Sequence, residues 1–154
     1  MEIQKVYYSN KSKYWDPLVD PESENSIFIT YKDLFLLSAC LGYKEKDIIN
    51  YEETPYIDKG EINISVFNKI EDIPIVNSLV LAITEDITYL SDDPIFTEKK
   101  FKIVEKLANH GVKILYNEII NKPGDPIINL INRIIKEYNK KEKESILKTI
   151  EEEI

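Results

Sequence analysis

The sequence predicts a mainly α protein, a compact bundle of about four helices with at most a minor β pair near the amino-terminal half. Three observations carry this. Four stretches repeat apolar residues at the three-and-four spacing of a helix. Three of them follow a start signal: Thr30 ahead of Asp33, Asp72 ahead of Pro74, and Asp125 ahead of Pro126. Only one short stretch alternates in the manner of a strand, and glycine is rare, with 4 in 154 residues.

The elements follow in chain order. Residues 1–25 carry Tyr7, Tyr8, Tyr14 and Trp15 and then "DPLVDPESEN", which reads as an extended aromatic segment followed by turns. Its rings lack the interleaved glycine and strand period of a base-stacking platform, so they are expected to anchor the segment. "TYKDLFLLSACLGYKEKD" is the first helix. Leu34 to Leu41 is apolar on nearly every side, which marks a central helix, and Gly42 stands where a left-handed carboxyl-terminal residue would end it. "EINISVF" alternates as a strand, with "SIFI" or "IQKVYY" as its partner. "EDIPIVNSLVLAITEDITYL" is the second helix, with Ile75, Leu79, Ile83, Ile87 and Leu90 as its stripe and "SDDP" as its end. "GDPIINLINRIIKEYN" is the last main helix, with Ile127, Leu130, Ile131, Ile134 and Tyr138 expected to be buried. Five polar residues, Lys140 to Glu144, separate it from an amphipathic tail in which Ile146, Leu147, Ile150 and Ile154 share one face. The organisation is therefore an aromatic segment over 1–25, one helical domain over 26–139 and a tail over 140–154.

"FKIVEKLANHGVKILYNEII" contains an apparent stop, Asn109-His110-Gly111. At ~100° per residue, Ile103, Val104, Leu107, Ala108, Val112, Ile114, Leu115 and Ile119 fall within half the circumference, while Lys102, Glu105, Lys106, Asn109, Lys113 and Asn117 fill the other half. The phase survives Gly111, so the reading is one helix in which Ala108 and Gly111 allow another helix to come close. The glycine itself weakens a helix by ~1 kcal/mol. The rival reading ends a helix at Asn109 and starts a new element at Val112.

The net charge is −8, and the lysines are scattered among acids; "NKKEKESILK", the densest basic stretch, runs into Glu151, Glu152 and Glu153. That disfavours direct nucleic-acid binding by the protein alone. The carboxylates do not form the regular rows of a DNA mimic. No apolar run is long enough for a membrane span, and the first residues lack the apolar core of a signal peptide, so a cytoplasmic protein is expected. The single cysteine, Cys40, reads as a buried core thiol, and His110 reads as a boundary residue holding a hydrogen bond. No phosphate-binding loop, nucleophile elbow or zinc-spaced Cys/His cluster is present, and no cofactor is expected. "DPIFTEKK" offers Asp93, Glu98 and Lys100, the residue types of a nuclease, but at a helix start rather than on a strand. Pairs such as Glu52–Glu53 and Asp92–Asp93 read as solvated faces or caps.

Two stretches resemble a known family. Leu34, Phe35, Ala39, Gly42 and Tyr43 in the first helix, and Phe101, Glu105, Ala108, Asn109 and Gly111 in the later one, are similar in order and separation to the small proteins associated with bacterial Dnd (DNA phosphorothioation) systems. Leu107 stands where that pattern has an aromatic. The resemblance spans roughly residues 30 to 135 and implies a phage-defence neighbourhood and an accessory role, with no known active site. The leading expectation is a non-enzymatic accessory protein acting through contacts with protein partners of the same defence locus. The second is an acidic regulator or antitoxin-like partner that masks a basic protein, and the third is a nuclease-like enzyme. Ile146, Leu147, Ile150 and Ile154 are the expected docking residues, on another chain that could include a second copy of this one, because a short isolated helix is marginal in water.

Overall fold

A computed structural model describes residues 4–51 and 55–153. Among them the fold is mainly α with one two-stranded sheet. The chain forms two compact units, Met1–Tyr116 and Asn117–Ile154.

The first unit opens with strand β1, Lys5–Tyr8. It pairs antiparallel with β2, Gly60–Asn63, with Val6 opposite Ile62 and Tyr8 opposite Gly60. Of the two candidate partners the structure selects the one within "IQKVYY". "SIFI" is instead tied by the backbone N–H groups of Ile27 and Phe28 to the carbonyl of Leu18. The strand predicted from Glu61 to Phe67 is shorter than its alternation suggested. Ile64–Val66 turns as a 3₁₀ segment and Val66 is half exposed. After β1, Lys11–Trp15 make one wide helical turn and Asp16–Val19 form the short helix α1.

Helix α2, Tyr31–Tyr43, starts where Thr30 Oγ1 accepts the N–H of Asp33 at 3.1 Å. It buries Leu34, Phe35, Ser38, Ala39 and Gly42 on one arc. Two readings of this helix are corrected. Gly42 does not end it: the helix continues to Tyr43, and Gly42 lacks the positive φ of a left-handed cap. Cys40 is exposed, because it lies on the arc opposite Phe35 and Ala39. An apolar run with no polar side does not reveal which arc turns inward.

Helix α3, Ile73–Thr84, has Asp72 at its N-cap and Pro74 in its first turn. It ends six residues before the predicted stop, at Glu85 in a left-handed conformation (φ 54°), and Ile87–Leu90 follow as a 3₁₀ turn. The buried stripe is Val76, Leu79 and Val80; Ile75 is 37% exposed and Ile87 75%. The α3 stripe predicted through Ile75 and Ile87 is therefore displaced by one position and cut short.

Helix α4, Pro94–Ile119, starts seven residues before Phe101, where Asp93 Oδ1 accepts the N–H of Ile95, and passes unbroken through Asn109-His110-Gly111. It buries Phe101, Val104, Leu107, Ala108, Val112 and Leu115. Aromatic rings thread the core of this unit. Tyr31 stacks on Tyr8, Tyr8 meets Trp15 at 4.5 Å, and the contacts continue through Phe35 and Phe67 to Phe101. The aromatics at Tyr8 and Trp15 thus belong to the core itself, and the Trp15 indole N–H donates to the carbonyl of Ser9.

The second unit contains the end of α4 and helix α5, Pro126–Glu153. Asp125 Oδ1 accepts the N–H of Ile127 at 2.8 Å, and Pro126 takes the first helical position. The helix has no break across Lys140–Glu144. Its expected buried stripe is the clearest departure from the sequence reading: Ile127, Ile131, Ile134 and Tyr138 are 51%, 45%, 54% and 67% exposed. Periodicity identified the helix, but an outward apolar face has the same period as an inward one.

Candidate functional site

Three places hold the residues that the sequence singled out. The first is the crossing of α2 and α4. A Cβ placed on Gly111 would lie 1.7 Å from the carbonyl oxygen of Ser38, and one on Gly42 would lie 2.0 Å from that of Leu107. The two glycines face each other, with Ala108 fully buried beside them. Only hydrogen fits at either position, so the two backbones pack directly, and the contact explains why both helices tolerate a residue that weakens them. The hydroxyl of Ser38 is buried there without a hydrogen-bond partner.

The second place is one turn away on α4. Glu105 is 8% exposed. One of its oxygens accepts the backbone N–H of Tyr7 and the other the Tyr56 hydroxyl at 3.1 Å. Asn109 continues the pattern. Its Oδ1 accepts the Ser9 N–H at 2.7 Å, and its Nδ2 donates to the Tyr7 carbonyl at 3.2 Å. Two side chains of α4 therefore stand in for a neighbouring strand along β1. Burial raises the Glu105 carboxyl above its ordinary value, against the lowering effect of the Tyr7 and Tyr56 hydrogen bonds. A cleft of about 570 Å³ opens beside this latch between Tyr7, Tyr51, Tyr56, Lys102 and Lys106. Both Glu105 oxygens are engaged, which suits a structural anchor better than an acid–base group. The sequence reading placed Glu105 and Asn109 on the solvated half of the helix. No local signal in the sequence marks this, because their partner, the β1 segment, lies about one hundred residues earlier.

The remaining chemical candidates sit elsewhere. Asp93 caps α4, Glu98 is exposed, and the Lys100 amine, 2% exposed, donates to Asn77 Oδ1 at 2.9 Å and joins α4 to α3. Burial lowers the Lys100 ammonium below its usual value. Asp93 and Lys100 thus have separate structural tasks. His110 Nε2 lies 2.6 Å from Glu45 Oε2 across the α2–α4 side of the unit. The exposed Cys40 thiol is held above its ordinary value by partial desolvation. Among the described residues no three His, Cys, Asp or Glu side chains form a group able to hold a metal ion. Glu52 and Glu53 lie outside the described residues.

The third place is α5, which presents three differently built faces. Asn129 and Arg133 turn toward the end of α4: Asn129 Nδ2 donates to the Ile119 carbonyl at 3.0 Å, and Arg133 pairs with Glu118. The stripe from Ile127 to Tyr138 points about 140° away from that face, by helical geometry. Ile146, Leu147 and Ile150 are 54%, 58% and 49% exposed and point about 120° from the first stripe. Ile154, the fourth residue of the expected docking face, lies outside the described residues. Among the described residues no helix is long and apolar enough to cross a membrane.

The chain matches no curated protein and no solved structure at a significant level. Residues 9–151, a wider span than the two helices that carry the resemblance, match the family model described as DNA sulphur modification system-associated protein 4. The Gly42–Gly111 crossing and the Glu105–Asn109 latch give physical reasons for the residues behind that resemblance, and the chain belongs to this family.

Proposed function

We propose that this protein is a non-enzymatic accessory component of a bacterial DNA sulphur-modification or anti-phage defence system, acting in the cytoplasm through protein–protein contacts. The observation that supports this best is the distal face of α5, where Ile146, Leu147 and Ile150 lie about half exposed within a little over one helical turn. Apolar side chains at spacings of three and four on an exposed helix suit insertion into a partner's groove. Family membership supplies the setting, a DNA sulphur modification system. The structural engagement of Asp93, Lys100 and Glu105 supports a role without catalysis. The net charge of −8 argues against phosphate contacts made by this chain alone.

The test is co-expression of the full chain with the proteins encoded beside it. Wild type should co-purify with a partner from that locus, and Leu147→Glu combined with Ile150→Glu should abolish capture without altering helix content by circular dichroism. Undiminished capture by the double variant, or no capture by wild type, would refute the proposal.

A further inference from the structure

We infer that the proximal stripe of α5, from Ile127 to Tyr138, is the contact between two copies of this chain, packed antiparallel about a two-fold axis passing between Asn132 and Arg133. This rests on the reading of α5 as an interaction helix and assigns a different occupant to its other apolar face.

Three observations lead to a second copy. First, α5 is amphipathic in the inverted sense. Its polar side, through Asn129 and Arg133, holds the end of α4, while Ile127, Ile128, Ile131, Ile134, Ile135 and Tyr138 are all at least 45% exposed. Second, apart from Ile128, which falls opposite Glu137, the stripe reads the same in both directions. Reversed about its midpoint, Ile127 falls opposite Tyr138, Leu130 opposite Ile135 and Ile131 opposite Ile134. A two-fold contact requires this property, because each residue must meet on the partner the residue that its own mate meets here. Third, charge permits self-contact at this helix. Residues 126–153 carry six Lys and Arg and six Glu, so the whole net charge of −8 resides in the rest of the chain. Two acidic molecules can therefore meet along α5 without net repulsion between the helices. The overlap covers about 18 Å of helix, a short contact, so the dimer is expected to be concentration-dependent.

Sedimentation velocity of the purified full-length chain over a wide dilution series tests this. Wild type should shift from monomer to dimer as concentration rises. Ile131→Glu places two like charges near the axis and should leave a monomer whose circular dichroism and melting are those of wild type. Leu147→Glu with Ile150→Glu should still dimerise, which separates this contact from the distal face proposed for a locus partner. In a Cys40→Ser background, Ile131→Cys should cross-link to its counterpart with a short bifunctional maleimide while Ile127→Cys should not. A wild type that stays monomeric, an Ile131→Glu variant that still dimerises, a distal variant that loses the dimer, or equal cross-linking at residues 127 and 131 would each overturn the inference.

Discussion

The α2–α4 crossing and α5 use similar materials in opposite ways. Both are helices carrying branched and straight aliphatic residues at helical spacing. At the crossing those residues flank glycine and alanine, the backbones touch, and nearly every large side chain is buried. Along α5 no small residue interrupts the stripes, and the aliphatic side chains remain half exposed. The lesson is that apolar period identifies a helix, while small residues set within the period identify the side on which another helix of the same chain arrives. Mutations should therefore harm folding at the crossing and association at α5.

The largest effect should come from Gly111→Leu. The added Cβ would overlap the Ser38 carbonyl, a backbone atom that can move only with its helix, so the loss should be about 3 kcal/mol or more in denaturant unfolding. Gly111→Ala should already destabilise measurably. An alanine variant as stable as wild type would remove the basis for contrasting the two regions.

Glu105→Ala comes next. It leaves the Tyr7 N–H and the Tyr56 hydroxyl without their acceptor and should destabilise by about 1–3 kcal/mol. Glu105→Gln keeps an acceptor and should lose less. Its pH dependence has a definite sign. Because the folded-state pKa of Glu105 is raised, the folded protein holds the proton more tightly than the unfolded chain does. The stability Glu105 contributes is therefore full below the ordinary glutamate range and is lost as pH rises through the raised folded value. The advantage of wild type over Glu105→Gln, measured by thermal melts across pH, should narrow in that direction. Asp72 runs the other way: burial works to raise its carboxyl, but the Lys32 and Asn68 bonds together outweigh it and lower the folded value, so its contribution is present above the ordinary aspartate range and is lost as pH falls through that lower value.

Removing residues 143–154 should shift the melting temperature little, because the described side chains lost from that segment are exposed, while capture of a locus partner should fall sharply. If truncation unfolds the protein and leaves binding unchanged, the distal face belongs to the core. The smallest effect is expected from His110→Gln. Its bond to Glu45 is partly solvent-exposed and contributes at most about 1 kcal/mol, so stability and partner capture should both stay close to wild type.

Much of the fold was legible because its signals are local. Thr30 and Asp125 accept backbone N–H groups two or three residues on, Pro74 and Pro126 fit the first turn, and the helices begin where these signals stand. The unbroken phase through Gly111 likewise belongs to one helix. What depended on a distant partner was not legible. A glycine after an apolar run looks the same whether it ends a helix, as Gly42 was read, or admits a second backbone, as it does. Cys40 illustrates the same limit, since only the position of the surrounding helices decides which arc of an all-apolar run is inward. Glu105 and Asn109 looked solvated because nothing in the sequence places β1 beside them, one hundred residues away.

The latch on β1 also restricts how this protein can aggregate or recruit a strand. An exposed strand edge is a template onto which a further chain can add, whether a peptide ligand or the first step of a fibril. On β1 the outward N–H and C=O of Tyr7 are taken by Glu105 and Asn109, and the other edge is filled by β2. An incoming strand would have to displace a carboxylate and an amide before it could pair at Tyr7. Strand addition at this edge is thereby opposed at Tyr7, although among the described residues the sheet has only two strands and would otherwise be poorly defended.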